Sequence, residues 1–216
     1  MKIYGFILAL INILFFGITS FLIKKNYFKN MHYIQYFWIT FTVLTGIWEF
    51  FFITNYKTTH SYSITLLQTN SHVWFNKYDI SYLLPWNFSK IFYAEYGAYA
   101  DKLYMAQKGI WSRIIESTHS LFCGLFSFIC LMYYKNEKTN TLNNKYVLAM
   151  AVAMGSQLMN SILYIGEYLI QINDVHSVNY NTYSFPTGFA LSKRPFMYIN
   201  IFWTIMPAYI IISNLI

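Results

Sequence analysis

The sequence predicts an all-α membrane protein: a five-transmembrane-helix bundle with a long lumenal loop between helices 2 and 3. Three observations carry that expectation. The 216-residue chain is 56% hydrophobic and 11% charged, against about 25% charged in an ordinary soluble domain. Its charges are separated by long apolar stretches that meet the roughly 20-residue need of a helix crossing a bilayer. Two short links between these stretches carry three lysines each.

The elements follow from the charge deserts. No charge lies between Lys2 and Lys24, which predicts a first span near 3–23. Its apolar part is too long for a signal peptide, and no small-residue cleavage site precedes Lys24. Glu49 is the single charge from Asn30 to Tyr56, giving a second span near 31–54. Glu116 is the single charge between Arg113 and Lys135, giving a third near 114–134. Glu167 is alone from Tyr146 to Asn173, giving a fourth near 146–171. Nothing charged follows Arg194, giving a fifth near 195–216.

The links set the orientation. Lys24, Lys25 and Lys29 follow the first span, and Lys135, Lys138 and Lys145 follow the third, on the same side. The opposite side carries Lys2, the Lys193-Arg194 pair and the long loop, whose cations count less. Positive residues favour the cytosol, so the N-terminus is expected outside it and the C-terminus inside. The single sequon, Asn87-Phe88-Ser89, would then be lumenal. The long loop, about 55–113, is rich in Trp and Tyr, which favour the membrane–water interface. Within it Ile91, Tyr96, Ala100, Leu103 and Ile110 recur at near-helical spacing, which suggests an interfacial helix over 89–112.

Several classes are excluded. The net charge of +7 comes from scattered cations, so no nucleic-acid partner is expected. Two cysteines, Cys123 and Cys130, give neither a disulfide framework nor a thiolate zinc site, and they lie in an apolar run that suits packing. There is no nucleotide loop, no nucleophile elbow and no metal-ligand spacing. No cofactor and no metal is expected. His32, His60, His72 and His176 fall in or near loops and read as bland.

The polar residues inside the spans point to a site. A carboxylate in lipid costs about 2.5–3.5 kcal/mol or more, so it faces a cavity or a partner. Glu49 lies near the outer end of the second span, Glu116 in the first turn of the third and Glu167 near the outer end of the fourth. With Asn200 and Trp203 on the fifth, all fall within roughly 15 Å of one membrane face at about 1.5 Å per residue. Glu116 with His119, Asn160 with Tyr164 and Glu167, and Asn200 with Trp203 each share one side of a helix. Hydrogen-bonded helix glue is the plainer explanation, an interfacial carboxylate reaching water serves for Glu116, and a packing or surface histidine for His119. Carboxylates in an apolar pocket exchange protons and a Trp face stabilises a cation, which together suit an apolar substrate that becomes transiently cationic.

These residues also carry a resemblance. Asn200-Ile201-Phe202-Trp203-Thr204-Ile205-Met206-Pro207 resembles the Asn-x-x-Trp-x-x-x-Pro signature of the emopamil-binding protein family, the sterol Δ8–Δ7 isomerases of the EXPERA superfamily. Glu49 matches that family's second-helix glutamate. Glu95-Tyr96 with Asp101-Lys102-Leu103-Tyr104 resembles its acidic-aromatic segment, and Ile115-Glu116-Ser117-Thr118 with Gly124 its third-helix segment. Gly155 to Asn160 and Leu163 to Glu167 follow its fourth-helix pattern, with Asn160 where the family has Asp. The similarity covers about 31–54 and 93–216. It divides the chain into a first helix with a basic link, 1–30, and an EXPERA-like four-helix domain, 31–216, with an insertion at about 57–90. Two positions depart from the pattern: Thr45 stands where the family has His, and His119 where it has Thr. The imidazole has moved between helices at similar depth.

The resemblance implies a sterol-sized cavity and a shift of a ring double bond through a carbocation. Carried over by position, Glu49 and Glu116 are the acid/base and cation-pairing carboxylates, Asn200 hydrogen-bonds within the site and Trp203 lends its π face. His119 is added to the catalytic set for its proximity to Glu116, and Thr45, Asn160 and Tyr164 to the substrate-binding set. The expected partner is a sterol or sterol-like lipid, with a second copy or other membrane subunits left open. The endoplasmic reticulum is the membrane the family implies. Two other functions compete: a non-catalytic sterol or lipid binder, and a structural subunit of a larger membrane complex.

Overall fold

The computed structural model describes residues 1–100, 111–135, 144–176 and 196–214; of 111–113, 116, 135, 171–173 and 196 it describes the backbone alone. Among the described residues there are seven helices. Three are long and apolar enough to cross a membrane: α1 (Gly5–Tyr27), α2 (Tyr33–Thr54) and, over Asn144–Ile170, α6 (Asn144–Asn173).

α1 begins at a tight junction. Lys2–Tyr4 forms a short strand, β1, antiparallel to β2 (Lys77–Asp79), with Ile3 opposite Tyr78. Gly5 follows at once, its N–H donating to the Asn76 carbonyl at 2.9 Å. A Cβ there would lie 2.2 Å from the Val73 carbonyl oxygen, so the contact requires glycine. The other end of α1 is closed by Lys24. Its Nζ donates to the carbonyls of Phe28 and Lys29 and sits 4.1 Å from the centre of the Tyr33 ring. A cation is favoured where helix carbonyls are left over.

Within the stretch expected as a loop, the described residues include two α-helices. α3 (Tyr56–Thr69) ends on Asn70 in the left-handed conformation, φ 48°, which asparagine tolerates at a helix C-terminus. Asp79 accepts from the Ser81 N–H at 2.9 Å, which caps a turn over Ile80–Leu83 and holds its carboxyl below the ordinary range. α4 (Pro85–Glu95) opens on Pro85, whose fixed φ suits the first helical position, and it continues as a π-helical turn over Tyr96–Ala100. The expected interfacial helix over 89–112 therefore starts earlier, and its Leu103 and Ile110 lie outside the described residues. The sequon is poorly presented: Phe88 and Ser89 are buried, and Ser89 Oγ donates to the Trp48 carbonyl at 2.6 Å.

α5 spans Trp111–Lys135 with a π-helical segment, His119–Leu125, at its centre. α7 (Phe196–Ser213) packs chiefly on α6. The expected third and fifth spans correspond to these two helices. Their apolar parts, His119–Tyr134 and Met197–Ser213, are shorter than those of α1, α2 and α6, because Ser112, Arg113, Ser117 and Thr118 make the first turns of α5 polar and α7 stops at Ser213.

Three buried clusters hold the fold. Trp38, Ile39, Tyr146, Met150, Met154 and Ile210 join α2, α6 and α7 at one end. Phe52, Tyr93, Ile115, Tyr164, Tyr168 and Met197 join α2, α4, α5, α6 and α7 nearer the other. Leu8, Leu66, Val73, Phe88 and Ile91 tie the start of α1 to the 57–90 insertion. Cys123 and Cys130 are buried and unpaired with one another.

Candidate functional site

α2, α4, α5, α6 and α7 enclose a cavity of about 560 Å³, within the range of small-molecule sites. α2 contributes Phe41, Thr45, Trp48 and Glu49; the end of α4 contributes Phe92, Tyr93 and Tyr96. α5 adds Ile115 and His119, α6 adds Gln157, Asn160, Ser161 and Tyr164, and α7 adds Asn200, Phe202 and Trp203 among others. Most of the wall is aromatic or aliphatic. Among the polar groups, Glu49, His119 and Gln157 form a connected strip across α2, α5 and α6.

That strip is built by backbone geometry. At Gly46 and Gly124 the helices α2 and α5 touch: a Cβ on Gly46 would lie 2.7 Å from the Gly124 Cα. Ser120 Oγ donates to the Gly46 carbonyl at 2.8 Å across the same crossing. The π-helical turns beside the contact widen α5 by one residue per turn and rotate its side chains. Such bulges are frequent at functional sites. Here the bulge begins at His119, and Nδ1 of that residue lies 2.9 Å from Oε1 of Glu49. Both side chains are buried.

Two further neighbours fix the histidine. Its Nε2 lies 3.4 Å from Nε2 of Gln157. Oε1 of the same Gln157 accepts from the Trp38 indole N–H at 2.7 Å. The Trp203 ring meets the imidazole edge to face, centroids 5.0 Å apart at 77°. Trp203 is itself held by Trp38 at 4.7 Å and stacked on Phe41 at 5.6 Å.

Of the residues expected in the site, Glu49, His119, Thr45, Asn160, Tyr164, Asn200 and Trp203 all line the cavity. The Glu116 side chain lies outside the described residues; its backbone stands in the helical turn before His119. Thr45 is buried and donates to the Thr42 carbonyl at 3.2 Å. Asn160 Oδ1 accepts from Thr118 Oγ1 at 3.2 Å, which links α6 to α5. Glu167 is half-buried one turn beyond Tyr164 and is not part of the wall.

Two things escaped the sequence reading. Gln157 carries no charge and is not singled out within the Gly155 to Asn160 segment, although its i, i+3, i+7 spacing with Asn160 and Tyr164 places it on their face. Glu95 and its neighbour Tyr96 diverge. Tyr96 lines the cavity. Glu95 instead accepts from the Val73 N–H at 3.1 Å and meets His72 Nδ1 at 2.6 Å. His72 is thus no bland loop residue: it stacks on Tyr99 at 4.1 Å and clips the insertion to α4.

Compared with family models, with curated proteins and with solved structures, the chain matches none.

Proposed function

We propose that this chain is a sterol Δ8–Δ7 isomerase-like membrane enzyme that moves a ring double bond within an apolar, sterol-like substrate. The observation that carries the reading is the Glu49–His119 pair, 2.9 Å apart in the wall of a largely apolar cavity, with the Trp203 ring against the imidazole. The reaction is redox-neutral. A carboxylic acid gives its proton to one alkene carbon, and the other alkene carbon becomes cationic. A carboxylate then takes a proton from the neighbouring carbon, and that C–H electron pair forms the new double bond. Glu49 and Glu116 supply the two carboxyl groups. The π face of Trp203 stabilises the cation, and Thr45, Asn160, Tyr164 and Asn200 orient the substrate.

The same reading takes five spans, with α5 and α7 crossing beside the three longer helices. The N-terminus and the insertion are lumenal, and the membrane is that of the endoplasmic reticulum. The β1–β2 pairing supports the shared side, since it ties Lys2–Tyr4 to Lys77–Asp79. Incubation of the purified protein with a Δ8-sterol in deuterated water tests the chemistry. Deuterium in a Δ7 product is expected. Unchanged substrate that nevertheless binds would leave a non-catalytic lipid binder.

A second reading, as a structural subunit, is favoured by the insertion. Phe75 is 70% exposed, and Ile80, Leu84 and Trp86 are exposed as well. Exposed apolar residues of this size mark contact with a partner or a membrane surface. Isolation from native membranes in mild detergent separates the readings, since a subunit copurifies with partners that protect the insertion from proteolysis.

A further inference from the structure

The hydrogen bonds around His119 have a forced direction. An indole N–H can only donate, so the Gln157 atom 2.7 Å from Trp38 Nε1 is the amide oxygen. The Gln157 nitrogen therefore faces the other way, 3.4 Å from both Thr42 Oγ1 and His119 Nε2. Thr42 spends its own proton on the Trp38 carbonyl at 2.9 Å, so it accepts from Gln157. An amide nitrogen has no lone pair to offer, so His119 Nε2 must accept too. The imidazole proton then stands on Nδ1, 2.9 Å from Glu49 Oε1.

We propose that Gln157 is a positioning residue that holds His119 as the neutral Nδ1–H tautomer, so that Glu49 stands in the cavity wall as the ionised partner. The opposite tautomer would set Nε2–H against the Gln157 NH2 group and a bare Nδ1 against the carboxylate. A doubly protonated ring would keep the first of those clashes. Turning the amide over would bring its NH2 against the Trp38 N–H. A histidine side chain free in water favours Nε2–H, so the site imposes the less common form. Gln157 and Trp38 are almost fully buried, at 1% and 0% exposure, so water does not relieve the constraint.

The consequence deepens the proposed reaction and rests on that reading only for its chemistry. Glu49 is the proton acceptor and cation partner, and the proton that opens the reaction comes from the second carboxyl group. His119 donates a hydrogen bond that steadies the Glu49 charge before substrate arrives.

The test is the His119 ring itself. Protein labelled with 13C and 15N at its five histidines is examined by NMR in detergent at neutral pH, with His119→Asn to assign the signal. The wild-type ring is expected as Nδ1–H in at least tenfold excess. In Gln157→Leu that excess should fall to a mixture. In Gln157→Glu a carboxylate oxygen faces Nε2, and the ring should become doubly protonated. A wild-type ring carrying its proton on Nε2, or on both nitrogens, overturns the inference even if neither variant folds. So does a ring form unchanged in both variants. Failure of the deuterium assay with the Nδ1–H form intact would instead count against the isomerase reading alone.

Discussion

Gly46 and Gly124 lie back to back where α2 crosses α5: a Cβ on Gly124 would stand 2.9 Å from the Gly46 Cα, and one on Gly46 2.7 Å from the Gly124 Cα. Backbone atoms on both sides leave nothing that can swing aside. This close approach sets the reach of the Glu49–His119 pair, since Glu49 is one turn beyond Gly46 and His119 just over one turn before Gly124.

Gly46→Ala and Gly124→Ala should each push the helices apart. Overpacking of this kind costs about 1–3 kcal/mol, which for a chain of this size lowers Tm by about 2–4 °C per kcal/mol. Activity or ligand affinity should fall with it. Gly155→Ala is the control, because its Cβ would meet nothing within 4 Å, and replacing a helical glycine there should stabilise by up to about 1 kcal/mol. Thermal melts of the three variants check the ordering. Equal melting of Gly46→Ala and Gly155→Ala would show that the crossing tolerates a methyl group.

The carboxylates come next. Glu49→Gln and Glu116→Gln should each lower turnover by about 10²-fold or more, the range of lost acid–base catalysis. Gln at 49 keeps an oxygen to accept the His119 N–H, so the melting point should hold. Steady-state rates on a Δ8-sterol measure the loss, and full activity in either variant removes that residue from the mechanism.

Trp203→Leu separates cation binding from space-filling. A cation over a desolvated Trp gains about 2 kcal/mol, so a cationic amphiphile should bind about tenfold or more weakly. The ring also packs on Trp38 and Phe41, so a neutral sterol of the same shape should lose some affinity, though much less. Competition binding with both ligands decides. Equal losses would mean that the ring only fills the cavity.

Orientation has its own measurement. Single cysteines at Lys29, in the link between α1 and α2, and at Lys77, in β2, should label from opposite faces of sealed membranes. In the proposed topology Lys29 lies on the basic, cytosolic side, and Lys77 lies with the N-terminus, to which β2 is paired. Labelling of both from one side would sink the proposed topology.

The site was legible in the sequence as far as charge and register carry information. A lone carboxylate in an apolar run is costly enough to be conspicuous, which marked Glu49. The antiparallel turn from α2 to α5 then placed His119 at the depth of Glu49. Gln157 was hidden because an uncharged amide in a helix carries only a small insertion cost and resembles glue between helices. The helices of the insertion are hard to see in the sequence because its apolar residues pack on α1 and α4 rather than filling a bilayer length. Leu66 and Val73, both buried at 0% exposure, meet Leu8 there. Glu95 was grouped with Tyr96 by adjacency, but neighbours on a helix point about 100° apart, toward His72 and toward the cavity. The π-helical turn at His119, beside the Gly46–Gly124 crossing, has no signature in composition.

Thr45 and His119 approach Glu49 from two different helices. Thr45 stands one turn before Glu49 on α2, and both side chains line the cavity. His119 reaches the same carboxylate from α5, at 2.9 Å. An imidazole from either helix can therefore donate to Glu49. His119→Thr alone should lower turnover by about tenfold or more, the scale of one lost hydrogen bond to a charged group, roughly 1.5–3 kcal/mol. Thr45→His added to it should restore much of that loss. Thr45→His alone should gain nothing, because Glu49 already has its imidazole and the cavity loses volume. Independent sites would simply add their effects, so a double variant better than His119→Thr measures the coupling directly. The four proteins are compared by turnover and by affinity for a cationic amphiphile. If His119→Thr leaves both unchanged, His119 serves packing alone, and its contact with Glu49 does not serve the chemistry.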